Sequence, residues 1–300
     1  MSLIEYLFTS SSGVGVDILR LDSLEGPASG NKWFKLVLNI EAAEHAAADC
    51  ILSFGGAYSN HLHALAAVGF SKGFATIGCV RADPSSGLTP TLQDAKRWGM
   101  SLHYLSRSEY RRRHDQDFIS ELQAQYPSAY IVPEGGGSTL GAKGCAGIVD
   151  LIPNVGRDYA AIVLACGTGT TLVGIASKVA EGVSVIGVPV LKAEKFMASD
   201  IAAMFQSLKG DRGNWRLDHR FHGGAYAHLP EQMAQYMQEF ELEYGVYLDP
   251  IYTAKAAYAL QCMVDNNEFA AGSRVLLVHT GGLQGRRGFG LNQGDTPCLY

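Results

Sequence analysis

Lys32 stands in the segment "SGNKWFKL", behind Gly30 and Asn31 and ahead of Trp33, Phe34, Leu36 and Val37. The first pair favours a turn and the second set an apolar helix, so the lysine falls on the boundary between them. A lysine near a helix start is most often a solvated side chain with its stem laid on apolar surface. Held at such a boundary it leans inwards, and burial then gives it a lowered pKa and a nucleophilic amine of the kind that carbonyl cofactors capture as a Schiff base.

Four other stretches carry matching chemistry. "GTGTT", Gly167 to Thr171, follows an apolar run and precedes a helical one. Glycines let backbone amides converge, the helix start adds partial positive charge and the threonines add hydroxyls, which together make a phosphate cradle. It lacks the GK[ST] ending of a P-loop and the spacing of a dinucleotide fingerprint, and a turn without ligand is the competing reading. "SFGGAYSNHLHALAA" places Ser59, Asn60 and His61 at a helix start, where Ser59 is either a plain N-cap or part of a seat for a substrate carboxylate. "LDPIYTAK" sets Tyr252 in the first turn after Pro250, and "LLVHTGG" ends a strand on Thr280, whose hydroxyl suits a ring nitrogen. A cradle, a boundary lysine, an asparagine on a strand-end loop and a terminal hydroxyl are the parts that hold pyridoxal 5'-phosphate. No metal site is expected, because His61 and His63, two apart on a helix, face different ways.

The elements that must position these groups follow a βαβ rhythm. Strands are expected at 50–54, 75–80, 101–105, 129–133, 159–166, 183–191 and 273–280. Helices are expected at 59–70, 89–99, from the Arg111–Arg113 knot to about Tyr126, over "GAKGCAGIVDLI" and over "TTLVGIASKVA". The resulting fold class is α/β with mainly parallel sheets, and ligands of such sheets bind beyond the carboxyl ends of the strands. The glycines Gly135 to Gly137 are the expected seam between two α/β halves.

Composition narrows the classes. The 300 residues are 47% hydrophobic and 18% charged, with a net charge of −5, which fits a globular enzyme and speaks against a nucleic-acid binder. Six scattered cysteines form no CxxC pair. The first residues have no basic run of the secretory type, so a cytoplasmic setting is expected. The uncharged stretch Tyr159 to Ser177 approaches the length of a membrane span, but "GTGTT" in its middle reads as strand, loop and helix.

Taken in order, "SGNKWFKL", "SFGGAYSNH", "VPEGGGSTLG", "CGTGTTLVG", "LDPIYTAK" and "VLLVHTGG" resemble, across nearly the whole chain, the 1-aminocyclopropane-1-carboxylate deaminase and D-cysteine desulfhydrase family of pyridoxal-phosphate enzymes. The resemblance implies the tryptophan-synthase β-like fold: two open twisted α/β domains, a larger one of residues 1–36 plus 135–300 and a smaller one of 37–134, in a homodimer. It makes Lys32 the Schiff-base lysine and places Lys35 outside the site. It makes Asn60 the partner of the cofactor's 3'-oxygen, and Gly167, Thr168, Gly169, Thr170 and Thr171 the phosphate loop. Ser59 then lies beside the substrate with Asn60 and His61, and Tyr252 and Tyr226 match the active-site tyrosines. Tyr58 stands where both branches commonly have glutamine and is expected to reshape the substrate pocket. Thr253 and Thr280 replace the glutamate and leucine of the deaminases, the desulfhydrase-like choice. A threonine strengthens ring-nitrogen protonation less than a carboxylate, which suits β-elimination from a small D-amino acid such as D-cysteine. The alternatives are the deaminase reaction and a non-catalytic protein that binds the cofactor or a phosphate ligand.

Overall fold

The sequence of β7, Ala161–Cys166, is apolar at every position and buried at every position. Such a run belongs to a strand covered by helices on both faces. The computed structural model, which describes residues 2–192, 194–224 and 227–291, places β7 near the middle of a six-stranded sheet of order β1-β2-β10-β7-β8-β9. Its other strands are β1 (Ile4–Thr9), β2 (Gly15–Arg20), β8 (Ser184–Pro189), β9 (Trp215–Leu217) and β10 (Arg274–His279). Only β1 runs antiparallel to its neighbour. A second sheet, wholly parallel, has the order β5-β4-β3-β6, from β3 (Cys50–Gly56), β4 (Ala75–Arg81), β5 (Ser101–Leu105) and β6 (Ala129–Ile131).

Ten α-helices flank the sheets among the described residues: α1 (Asn31–His45), α2 (Asn60–Lys72), α3 (Pro90–Arg97), α4 (Arg107–Arg111), α5 (Gln116–Gln125), α6 (Thr139–Ala146), α7 (Thr170–Lys178), α8 (Glu194–Leu208), α9 (Glu231–Tyr244) and α10 (Thr253–Asp265). None is long and apolar enough to cross a membrane.

Helix α1 joins the two layers. Leu36, Ile40 and Ala43, spaced i, i+4, i+7, are buried with Ile51, Leu62 and Leu65 over the smaller sheet. Phe34, on another face, packs against the core of the larger sheet with Ala142 and Cys145 of α6. Burial of Leu36 and Ile40 stabilises by about 1.5–3 kcal/mol each, which fixes the first turn of α1, and with it Lys32, at the meeting of the layers.

The uncharged stretch resolves as strand, loop and helix, as its glycines imply. The long helix expected up to Tyr126 is instead two. Ser106 and Glu109 form a capping box that starts α4, and α5 begins after Asp115. Arg113, in the break, binds Glu134 Oε2 through Nε at 2.5 Å and lies over the Tyr110 ring. Of the basic knot, Arg113 is thus a tether to the segment before Gly135, while Arg111 ends α4 and Arg112 pairs with Glu121 of α5.

Candidate active site

The carboxyl ends of β3, β7 and β10 and the start of α1 converge, and the reason is visible at Gly30. Its φ of +77° belongs to the region glycine tolerates best, and a Cβ there would lie 2.4 Å from the Thr280 carbonyl oxygen. With no side chain between them, Asn31 N donates to Thr280 O at 3.1 Å. The strand end and the helix start are joined directly.

Asn31 Nδ2 donates to Thr171 Oγ1 and Lys32 Nζ donates to Asn31 Oδ1, both at 2.9 Å. The Lys32 amine lies 5.8 Å from the centre of the Tyr252 ring. Burial, reinforced by the neighbouring Lys35 charge, lowers the Lys32 pKa to about 7. A lowered pKa is what burial gives a lysine turned inwards at such a boundary.

Lys35, expected outside the site, does not line the cavity but turns inwards to the loop at Thr168. It is buried, with Nζ donating to Gly135 O at 3.1 Å and to Thr168 Oγ1 at 3.3 Å. Residues three apart share a helix face, so both amines of "KWFK" turn inwards, and burial lowers the Lys35 pKa as well. The Thr168 and Thr170 hydroxyls are 2.8 Å apart, and Thr170 and Thr171 open α7 from buried positions. Free amides of a helix start, a hydroxyl pair and an ammonium group form a donor set that fits a phosphate.

On the facing wall, Tyr252 Cε1 lies 3.2 Å from where a Cβ on Gly167 would stand, so the glycine lets the ring rest against the loop. Asp249 holds Tyr252 in place. Its Oδ1 accepts from Tyr252 N at 2.6 Å and Thr253 N at 3.3 Å, while Oδ2 is buried without a hydrogen-bond partner among the described residues. Burial pushes the Asp249 pKa up to about 7 against the lowering effect of those backbone donors. Thr253 is turned to the same turn, its hydroxyl donating to Asp249 O at 3.3 Å and accepting from Asp249 N at 2.6 Å.

Lys32, Asn60, Tyr252 and Thr280 line one cavity of about 330 Å³. Tyr58, Ser59, His61 and Gly167 to Thr171 are not in its lining. Ser59 accepts from Leu62 N at 3.2 Å as the N-cap of α2. His61 is buried, with Nε2 2.9 Å from Ser53 Oγ, and burial lowers its pKa to about 3, so it is a neutral ring beneath the site. Tyr58 is 41% exposed and its ring faces Gly288. Tyr226 lies outside the described residues.

The rest of the wall is polar. His63 Nε2 lies 3.1 Å from Asp94 Oδ2 and Arg97 Nη1 3.4 Å from Asp94 Oδ1, while Arg287 pairs with Asp94 from the other side of the cleft. His61 and His63 therefore do face different ways. Among the described residues no group of three or more histidine, cysteine or acidic side chains could hold a metal ion. Of the groups that sequence reading missed, Lys35 was signalled by its i, i+3 relation to Lys32, and Asp249 by its place before Pro250 at a helix start. Gln284, Arg287 and Asp94 gave no local signal, because they meet the site only through the packing of distant segments.

Residues 4–281 match the family model for pyridoxal-phosphate dependent enzyme. The chain is 27% identical to a putative 1-aminocyclopropane-1-carboxylate deaminase of Pyrococcus horikoshii, with 96% of this chain and 91% of that one covered. It is 27% identical to a mitochondrial bifunctional D-cysteine desulfhydrase/1-aminocyclopropane-1-carboxylate deaminase of Arabidopsis thaliana, over 91% and 74%, and 26% identical to a D-cysteine desulfhydrase of Klebsiella pneumoniae, over 93% and 90%. Among solved structures, a homologue of the first enzyme class superimposes with a TM-score of 0.83 at 26% identity, covering 96% of this chain and 91% of that one.

Proposed function

The chain belongs to the family of pyridoxal-phosphate dependent enzymes, and from that premise we propose that it catalyses β-elimination from a small D-amino acid with a leaving group on Cβ, such as D-cysteine. The observation that carries this reading is the meeting, in one cavity, of a low-pKa Lys32 amine with the Tyr252 ring and a Thr280 hydroxyl where an acidic group would strengthen ring protonation. Lys32 would hold the cofactor, with the Gly167–Thr171 loop and Lys35 at its phosphate, Asn60 beside it and Thr280 at the ring nitrogen. When bound, the cofactor supplies an electron sink that acidifies the substrate's Cα–H.

The chain's residues do the rest. The amides at the start of α2 seat the substrate carboxylate. Once the substrate amine had taken its place on the cofactor, Lys32 Nζ, an amine whose pKa burial lowers to about 7 in the cofactor-free chain, would be free to take the Cα proton as general base, a contribution of about 10²–10⁴-fold. The Cβ–sulfur bond then breaks, sulfur leaves with the electron pair, and Tyr252, seated by Asp249, is placed to protonate it. The released enamine hydrolyses to pyruvate and ammonia. Retention of Lys32 together with Ser59 and Tyr252 supports turnover over mere binding of the cofactor.

The names of the relatives favour a second reading, ring opening of 1-aminocyclopropane-1-carboxylate. A single assay separates them: pyruvate release from a panel of D- and L-amino acids, with α-ketobutyrate from the cyclopropane substrate measured in parallel. The expected result is pyruvate from D-cysteine or a β-chlorinated or O-substituted D-amino acid. Faster α-ketobutyrate formation would overturn the elimination reading.

A further inference from the structure

Asn60 is 8% exposed and lines the cavity at the first turn of α2. Its side-chain amide has one donor end and one acceptor end, and which of them faces a ligand decides whether it can stabilise an anionic oxygen. The acceptor end is taken: Gln284 Nε2 donates to Asn60 Oδ1 at 3.0 Å. Gln284 belongs to the 3₁₀ turn Leu283–Phe289 that follows β10, so the grip comes from the larger sheet while Asn60 belongs to the smaller one. At Gly282, whose φ is +93°, a Cβ would lie 2.7 Å from Asn60 Nδ2, so the absence of a side chain keeps the donor end clear. Nδ2 donates to no other group among the described residues, and Gly282 lines the same cavity.

We propose that Gln284 is a positioning residue: by occupying Asn60 Oδ1 it fixes the amide so that its N–H points into the cavity as a donor to an oxygen of the bound cofactor. The inference rests on the reading of Asn60 as a cofactor contact. A donor to a ring oxygen favours the deprotonated form, so its loss raises the pH at which that oxygen, and the visible band coupled to it, titrates.

The test is a pH titration of the visible band of the cofactor-loaded protein, with cofactor affinity measured alongside, for wild type, Gln284→Met, Asn60→Ala and the double variant. Gln284→Met should raise the midpoint by roughly half to one pH unit and weaken cofactor binding about threefold to tenfold, the range of one hydrogen bond. Both effects should vanish when Gln284→Met is added to Asn60→Ala, because the glutamine acts through the asparagine. A wild-type midpoint in Gln284→Met, or full additivity of the two substitutions, would overturn the inference. A wild-type protein that takes up no cofactor would remove the reading of Asn60 and the inference with it, and that outcome is seen before any variant is made.

Discussion

A lysine amine is a nucleophile only after it has lost its proton, so the environment of Lys32 sets the pH at which it works. Burial and the charge of Lys35 bring its pKa to about 7, where an ordinary lysine titrates near 10.4. When cofactor is added to the cofactor-free protein, the rate of colour formation should climb about tenfold per pH unit below 7 and level off above it. A rate that keeps climbing to pH 10 would show that the reacting amine is an ordinary one. The inward placing of Lys32 was legible in the sequence, because a turn followed at once by an apolar helix turns the residue between them towards the interior. Lys35 was not: its destination depends on Gly135 and Thr168, 100 and 133 residues away, and no local pattern announces that they arrive beside it.

At the scale of elements, the site depends on how α2 and α3 are held against the turn that follows β10. Asp94 on α3 takes His63 of α2 and Arg287 of that turn. Burial alone would raise its pKa, yet the hydrogen bonds from His63 and Arg287 hold it at about 2, below the ordinary 3.8. A carboxyl whose folded pKa is depressed contributes stability above its unfolded pKa and loses it as pH falls through the folded one. The stability gap between wild type and Asp94→Asn, from denaturant unfolding, should therefore be full above pH 4 and close as pH falls towards 2; a gap that stays constant would contradict the role given to the ionised group. The strands and helices of the parallel layers were readable from apolar runs and their spacing, as at β7 and α7. The β1–β2 pair, β9, α8 and α9 lie outside the βαβ rhythm and gave no comparable signal. The break between α4 and α5 was hidden because Arg111 to Arg113 read equally well as a helix start, and only the pull of Glu134 on Arg113 shows why the chain turns there.

The whole molecule brings together segments that no local pattern joins: the first turn of α1, the ends of β3, β7 and β10, and the turn at Asp249. The mainly parallel α/β architecture was readable from the alternation of elements, and superposition on a solved homologue with a TM-score of 0.83 agrees with it. The placing of the cavity at the strand ends followed from the rule that ligands sit beyond them, but its polar far wall did not, since Asp94 and Arg287 are 193 residues apart. Among the described residues, burial lowers the pKa values of three lysines, namely Lys32, Lys35 and Lys255. Lys35 is bonded to Thr168 of the Gly167–Thr171 loop and Lys255 to the carbonyls of Val190 and His222 at 2.9 and 2.8 Å, whereas Lys32 alone of the three lines the cavity. Borohydride reduction of the cofactor-loaded protein followed by peptide mapping discriminates among them: the label should fall on Lys32, and its appearance on Lys35 or Lys255, or on no lysine at all, would contradict the assignment on which the mechanism stands.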